Sequence, residues 1–105
     1  MNTGVQTKRE VFKTLSDHSA ELKELGVKTV GLFGSFVRGE QTPESDIDLL
    51  VQFEPDKKNF DNFMHLSGLL ESLLQRRVEI ITTEALSPYI GPHILSEVEY
   101  ASLSA

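Results

Sequence analysis

The stretch that decides the fold runs from residue 34 to residue 51 and reads Gly34-Ser35-Phe36-Val37-Arg38-Gly39-Glu40-Gln41-Thr42-Pro43-Glu44-Ser45-Asp46-Ile47-Asp48-Leu49-Leu50-Val51. It joins a small turn, which follows one apolar segment, to two acids that open a second apolar segment. Side chains at positions i and i+2 of a strand point to the same face, so we expect Asp46 and Asp48 to point the same way. Two carboxylates ~4 Å apart repel by about 4 kcal/mol at an effective dielectric constant of ~20. The pair therefore predicts a cation site, and Mg²⁺ fits it because this ion binds through one or two carboxylates together with substrate phosphates.

Outward from this stretch, the spacing of apolar residues predicts alternating helices and strands. A capping box at Thr7 and Glu10 begins a helix over about 8–25. The remaining predicted elements are a strand over 27–33, a short helix ending near Gly39, a strand over 47–53, a helix after Asn59 with an apolar stripe up to Leu74, a strand over 78–81, a turn or short helix over 83–87, and a helix from Gly91 to about Tyr100. The order α-β-α-β-α-β-α indicates an α/β (α+β) fold, in which helices pack on a small mixed β-sheet.

Length and composition predict one domain over residues 1–105. A hydrophobic content of 39% and a charged content of 25% are ordinary for a globular protein, and the chain has no cysteine. The net charge of −6 argues against direct nonspecific binding to nucleic acid, which depends on Lys and Arg, and is compatible with a basic protein partner. No stretch has the pattern of a signal peptide or of a membrane span, so we expect a cytoplasmic protein.

The Gly-Ser pair, the ten-residue spacer and the Asp-x-Asp resemble the nucleotidyltransferase superfamily that includes DNA polymerase β. The segments 34–40 and 45–51 are similar to its smallest bacterial and archaeal branch, the minimal nucleotidyltransferases (MNT). The resemblance extends roughly from the first helix to Tyr100 and is sharp only in the motif region. It implies the nucleotidyltransferase fold, which agrees with the predicted order of elements. It also implies a Mg²⁺-dependent enzyme, with two ions, that transfers a nucleoside monophosphate from ATP or another NTP to a hydroxyl and releases pyrophosphate.

The resemblance also assigns roles to the motif residues. It implies that Asp46 and Asp48 hold the metal ions and that Gly34 and Ser35 bind the β and γ phosphates. The residues themselves support a phosphate cradle, because glycine allows close backbone approach and the start of a helix presents free amides to an anion. Without the acids, the same pair would indicate only a strand-to-helix turn capped by serine.

Two further charged residues are matched to the family pattern. Glu79 interrupts the apolar strand 78–81 and occupies the position of the family's third metal-side carboxylate, where the usual residue is Asp. Asp48, or Glu79 beside it, would orient or deprotonate the acceptor hydroxyl. The longer Glu79 changes the ligand geometry for an ion that demands near-octahedral coordination, so it bears on catalytic rate more than on nucleotide binding. The alternative is a surface glutamate on an edge strand.

Arg38 matches the arginine of the Gly-Ser-x-x-Arg-Gly pattern. It is expected to brace the triphosphate or the acids by bidentate hydrogen bonds, and the alternative is a structural salt bridge to Asp46 or Glu40. The pair Arg76-Arg77 is interpreted as solvated residues that flank a strand.

Larger relatives in the resembled superfamily carry an additional domain that recognises the acceptor, and a chain of 105 residues leaves no room for one. The acceptor surface must then come from a partner or an oligomer. Small members are often encoded beside a HEPN protein, an RNA-cleaving toxin, and act as its antitoxin, in some cases by adenylylating a tyrosine on it. The resemblance therefore implies an antitoxin that modifies a HEPN-type toxin encoded nearby, within a hetero-oligomer. One alternative is a non-catalytic nucleotide-binding module that neutralises the toxin by contact alone, and another is a transferase acting on a small molecule such as an antibiotic.

Overall fold

The computed structural model of the protein describes residues 4–103. The helices and strands in this range are α1 Lys8–Asp17, α2 Ser19–Glu24, β1 Val27–Phe33, α3 Ser35–Arg38, β2 Ile47–Phe53, α4 Phe60–Leu74, β3 Val78–Thr82, α5 Gly91–Glu97 and β4 Glu99–Tyr100. Single 3₁₀ turns lie at Pro55–Lys57 and Thr83–Ala85. Within residues 4–103, no helix is both long enough and apolar enough to cross a membrane.

The strands form one mixed sheet in the order β3-β2-β1-β4. β2 pairs in parallel with β3 and antiparallel with β1, and β4 pairs antiparallel with the outer side of β1. The register places Asp48 of β2 opposite Phe33, the last residue of β1, and opposite Glu79 of β3. Three neighbouring strands therefore bring the turn after β1 and two acids to one edge of the sheet.

The two faces of β2 are buried against different helices. Ile47, Leu49 and Val51 face a core built with α1, α2 and α4, while Leu50 packs with Phe33 of β1 and with α5. This is the alternation predicted for the strand 47–53, and it confirms the mixed α/β fold with helices packed on a small sheet. Asp48 belongs by the same alternation to the face that α5 partly covers.

The first and the last helix differ from their predicted bounds. The first helix breaks at His18, whose backbone departs from helical geometry at φ −114° and ψ 25° and whose Nδ1–H donates to the Thr14 carbonyl at 2.9 Å. The last helix ends at Glu97 instead of reaching Tyr100, because residues 99–100 turn into the edge strand β4. The expected order of seven elements was therefore incomplete, with one helix divided and a fourth strand missed.

Arg76 is a structural residue, so its interpretation as solvated was wrong. Its guanidinium lies 5.0 Å from the centre of the Phe36 ring, within cation–π range. It donates to the carbonyl of Val5 at 2.6 Å and to that of Ser45 at 2.8 Å. It also contacts the carbonyls of residues 42 and 43. Arg76 therefore fastens both the start of the described chain and the loop before β2, while the neighbouring Arg77 is exposed.

Candidate active site

Gly34 forms the turn that leads from β1 into α3. Its backbone has φ +80° and ψ −154°, a region that is accessible almost only to glycine. A Cβ atom at this position would overlap the carboxylate of Asp48. The missing side chain therefore makes room for the Asp48 carboxylate directly against the backbone of the turn.

Asp48 lies at the centre of an acidic cluster. It is half-buried, and burial raises its pKa to about 6, with the neighbouring Glu79 and Asp46 as the next largest causes. Arg38 opposes this shift, and Glu97 adds to it. The negative potential around Asp48 is the electrostatic condition that a bound cation would relieve.

The donor set fits Mg²⁺, which the resembled family uses. In the part of the chain that the structure describes, no group of three acidic or histidine side chains is arranged to hold a metal ion. Mg²⁺ is seldom held in an all-protein cage and usually combines one or two carboxylates with phosphate oxygens and water. Asp48 and its acidic neighbours offer such a partial set, in which the Asp48 carboxylate lies directly against the Gly34 backbone.

Ser35 begins α3, a single turn that ends at Gly39 in the left-handed conformation. The turn is anchored to the core by Phe36 and Val37, which are buried. Ser35 is itself half-buried and directly follows the Gly34 backbone. The predicted cradle residues Gly34 and Ser35 therefore lie beside Asp48, as their spacing in the sequence indicates.

Arg38 pairs with two glutamates. Its Nε donates to Oε1 of Glu40 at 2.8 Å, and its Nη1 donates to Oε1 and Oε2 of Glu97 at 3.0 and 3.2 Å. The hydrogen bonds that Arg38 donates to Glu40 and Glu97 raise its pKa above the ordinary value, so it remains a cation. The salt bridge to Glu40 is one of the two that the sequence suggested.

Glu97 is the residue of this site that sequence reasoning missed. Its Oε2 accepts the backbone N–H of Gly34 at 2.8 Å, and this bond, followed by the contact with Arg38, holds the pKa of Glu97 below its ordinary range. It lies at the end of α5, 63 residues after Gly34 and 59 after Arg38. No local pattern marks it, because α5 is brought to this turn by the packing of Ile94 on Phe33 and Leu50 and by the pairing of β4 with β1.

The structure therefore gathers most of the predicted site in one place. Gly34, Arg38 and Asp48 meet at the ends of β1 and β2, and Glu79 lies opposite Asp48 on β3. Asp46 precedes β2, and its negative charge contributes to the raised pKa of Asp48. Glu79 is exposed, so its carboxylate stands at the solvent side of the cluster.

Comparisons with known proteins agree with this geometry. The family model described as "Nucleotidyltransferase domain" matches residues 15–101. The protein adenylyltransferase MntA of Thermococcus cleftensis is 40% identical over 95 residues, which cover 90% of this chain and 95% of that protein. A solved structure, provisionally assigned as a minimal nucleotidyltransferase, is 33% identical with a TM-score of 0.69 and covers 84% of this chain and 93% of that one.

A more distant structural match shares the fold alone. It comes from a complex of a tri-AMPylated HEPN toxin with an MNT antitoxin from Shewanella oneidensis. The match is 17% identical with a TM-score of 0.61 and covers 89% of this chain and 73% of that one. The match to the family model over most of the chain and the 40% identity to the Thermococcus protein show that this protein is a nucleotidyltransferase and belongs to the minimal branch of the nucleotidyltransferase domain family.

Proposed function

We propose that the protein is a cytoplasmic, Mg²⁺-dependent adenylyltransferase that moves AMP from ATP to a hydroxyl group of a HEPN-type toxin encoded nearby, and so acts as its antitoxin. The observation that carries the proposal is the approach of the Asp48 carboxylate to the Gly34 backbone, with Glu79 opposite Asp48. The 40% identical relative is a protein adenylyltransferase, which supports AMP transfer to a protein. The fold is shared with a chain from a complex of an AMPylated HEPN toxin and its MNT antitoxin, which supports the choice of partner.

In the proposed reaction the acceptor hydroxyl oxygen forms a bond to the α-phosphorus of ATP while the bond from that phosphorus to pyrophosphate breaks. The hydroxyl proton passes to a carboxylate of the acidic cluster, Asp48 or Glu79. Gly34 and Ser35 hold the β and γ phosphates of the leaving group. Mg²⁺, held by Asp46, Asp48 and Glu79, would supply charge neutralisation of the triphosphate.

A protein acceptor also suits the surface beside the site. Helix α5 carries Glu97 into the site and exposes 53% of Leu95 to solvent. Tyr89 and Ile90, which precede the helix, are 91% and 49% exposed. The exposed apolar side chains of this helix and of the residues before it are the contacts that we propose for a protein acceptor.

The test is the intact mass of the HEPN-type protein encoded beside this gene, measured after incubation with the protein and Mg-ATP. We expect mass increases in whole AMP units that disappear when Asp48→Asn replaces the wild type. An unchanged mass, with the toxin still active, would contradict AMP transfer.

Glu79 favours a second candidate function. Its side chain is exposed and longer than the aspartate usual in the family, so the metal geometry can be impaired while nucleotide binding survives. The protein would then neutralise the toxin by complex formation alone. A stable complex without any mass increase, and full protection by a folded Asp48→Asn variant, would favour this function. If Glu79→Asp then restored AMP transfer, the extra methylene would be the cause of the lost activity.

A further inference from the structure

The Gly34 amide and the Arg38 guanidinium are already bound to an anion in this structure. Glu97 accepts the Gly34 N–H at 2.8 Å through Oε2 and receives Arg38 Nη1 on both oxygens, at 3.0 and 3.2 Å. The side chain of Glu97 is only 16% exposed, so its carboxylate is packed into the turn and does not extend into solvent. One carboxylate thus joins the glycine turn to the arginine.

A phosphate would use the same donors. Backbone N–H groups and guanidinium groups bind carboxylate and phosphate oxygens with the same charge-assisted geometry. The Glu97 carboxylate therefore accepts from Gly34 and Arg38 the same kind of hydrogen bonds that a nucleotide phosphate would accept. Its negative charge also adds to the field at Asp48, which Asp46 and Glu79 already make acidic.

From these contacts we propose that Glu97 is an internal competitor of the nucleotide, which occupies the place of a phosphate at Gly34 and Arg38 and must leave before ATP is fully seated. The proposal rests on the proposed function, because it takes Gly34 as part of the triphosphate cradle. It assigns Glu97 a role in setting nucleotide affinity. A purely structural role, in which Glu97 orients Arg38 toward the phosphates, would have the opposite effect on ATP binding.

The surroundings of Glu97 are compatible with its release. Arg38 keeps a second carboxylate partner, Glu40, at 2.8 Å on the exposed side, so it does not lose all its partners when Glu97 leaves. Glu97 is the last residue of α5, where the backbone passes into the extended conformation at Val98. Glu97 therefore lies outside the paired residues of β4, which begins at Glu99.

The experiment compares ATP binding by calorimetry, in the presence of Mg²⁺ and without any acceptor, for wild type, Glu97→Gln and Glu99→Gln. Gln removes the charge of Glu97 while keeping a side chain of the same shape. Glu99→Gln is the matched control, since it makes the same charge change two residues away on an exposed glutamate paired with Lys8 at 3.1 Å. We expect Glu97→Gln to tighten ATP binding about tenfold, because the charge repulsion is removed and an uncharged amide oxygen competes more weakly than a carboxylate for Gly34 and Arg38. Glu99→Gln should stay within about twofold of wild type.

The possible results separate the two proposals. Unchanged or weaker ATP binding by Glu97→Gln, with normal binding by wild type, would overturn the competitor role and leave the proposed function intact. If neither protein bound ATP, both proposals would fail. If ATP bound to Glu97→Gln alone, that would support the inference in its strongest form.

A second measurement uses only wild type and so does not depend on the folding of a variant. The side-chain carboxyl carbon of Glu97 is followed by NMR during titration with Mg-ATP. Displacement predicts a large change of its resonance at saturation, together with a change at the Gly34 amide. A Glu97 resonance that stayed fixed while the Gly34 amide shifted would contradict displacement.

Discussion

At the scale of single residues, Asp48 combines a central position in the candidate site with a cost in stability. Its pKa is about 6 in the folded protein against 3.8 for an unperturbed side chain. The folded state therefore holds more protons than the unfolded state between these two values, and the contribution of Asp48 to stability falls as pH rises through this window. Above about pH 6 the carboxylate is charged, half-buried and surrounded by other acids.

Asp48→Asn should therefore stabilise the protein while removing the proposed activity. In metal-free buffer at pH 7 we expect the free energy of unfolding to rise by roughly 1 kcal/mol. This is well below the about 3 kcal/mol that the whole pKa shift would give, because solvent screens a half-buried group. Urea unfolding of both proteins across a pH series would measure the difference, which should shrink to near zero below pH 4. Equal stabilities at pH 7 would show that Asp48 carries no such penalty.

Gly34 gives a second prediction at the residue scale. Gly34→Ala places a Cβ both in a strained backbone region and against the Asp48 carboxylate, so we expect a loss of about 2–4 kcal/mol in unfolding free energy and loss of ATP binding. Gly39→Ala is the matched control, because Gly39 also has a positive φ, of +72°, but its Cβ would meet nothing within 4 Å. It should cost about 1–2 kcal/mol and leave ATP binding in place. Similar losses in both variants would show that backbone strain alone accounts for the requirement for glycine at position 34.

At the scale of elements, the strands β1, β2 and β3 were predictable, whereas β4 and the contacts between distant elements were not. The bounds of β1 and β2 follow from apolar runs and period-two alternation, and the turn at Gly34 follows from the motif. β4 is only two residues long and pairs with Gly31 and Leu32 of β1. No local sequence pattern indicates this pairing. Glu97 was missed for the same reason, since the partners that define its role lie about 60 residues away.

Arg76 shows how one side chain joins several elements, and it gives a prediction at this scale. Arg76→Lys keeps the charge but cannot make the forked set of hydrogen bonds to Val5 and the loop 42–45. We expect a loss of about 2–3 kcal/mol in unfolding free energy, measured by urea denaturation. Arg77→Lys, at the exposed neighbouring position, should change stability by no more than about 0.5 kcal/mol. A loss of the same size in both variants would assign the effect to the general exchange of Arg for Lys.

At the scale of the whole molecule, the sheet order explains why so small a chain can hold a site. β1, β2 and β3 each contribute one end to the same edge, so the glycine turn, Asp48 and Glu79 are positioned by backbone pairing. The motif with fixed spacing across β1 and β2 predicted that Gly34 and Asp48 lie together, whereas Glu79 was assigned by the family resemblance alone. Glu97 of α5 contacts the glycine turn, and β4, which follows α5, pairs with β1. These contacts depend on the complete fold and not on the motif.

Because the candidate site is built from the ends of three strands of one sheet, we expect nucleotide binding to raise the stability of the entire domain. A ligand that binds only the folded state at tenfold its Kd adds about 1.4 kcal/mol, which for a domain of this size raises Tm on the order of 5–10 °C. We expect such a rise with Mg-ATP, a smaller one with ATP and EDTA, and none that depends on Mg²⁺ in Asp48→Asn, as measured by differential scanning calorimetry. Without ligand, Asp48→Asn is expected to have a higher Tm than wild type. When Mg-ATP is added, this difference in Tm should become smaller or change sign. Equal Mg²⁺-dependent rises in Tm for both proteins would show that metal-dependent nucleotide binding does not require the Asp48 carboxylate.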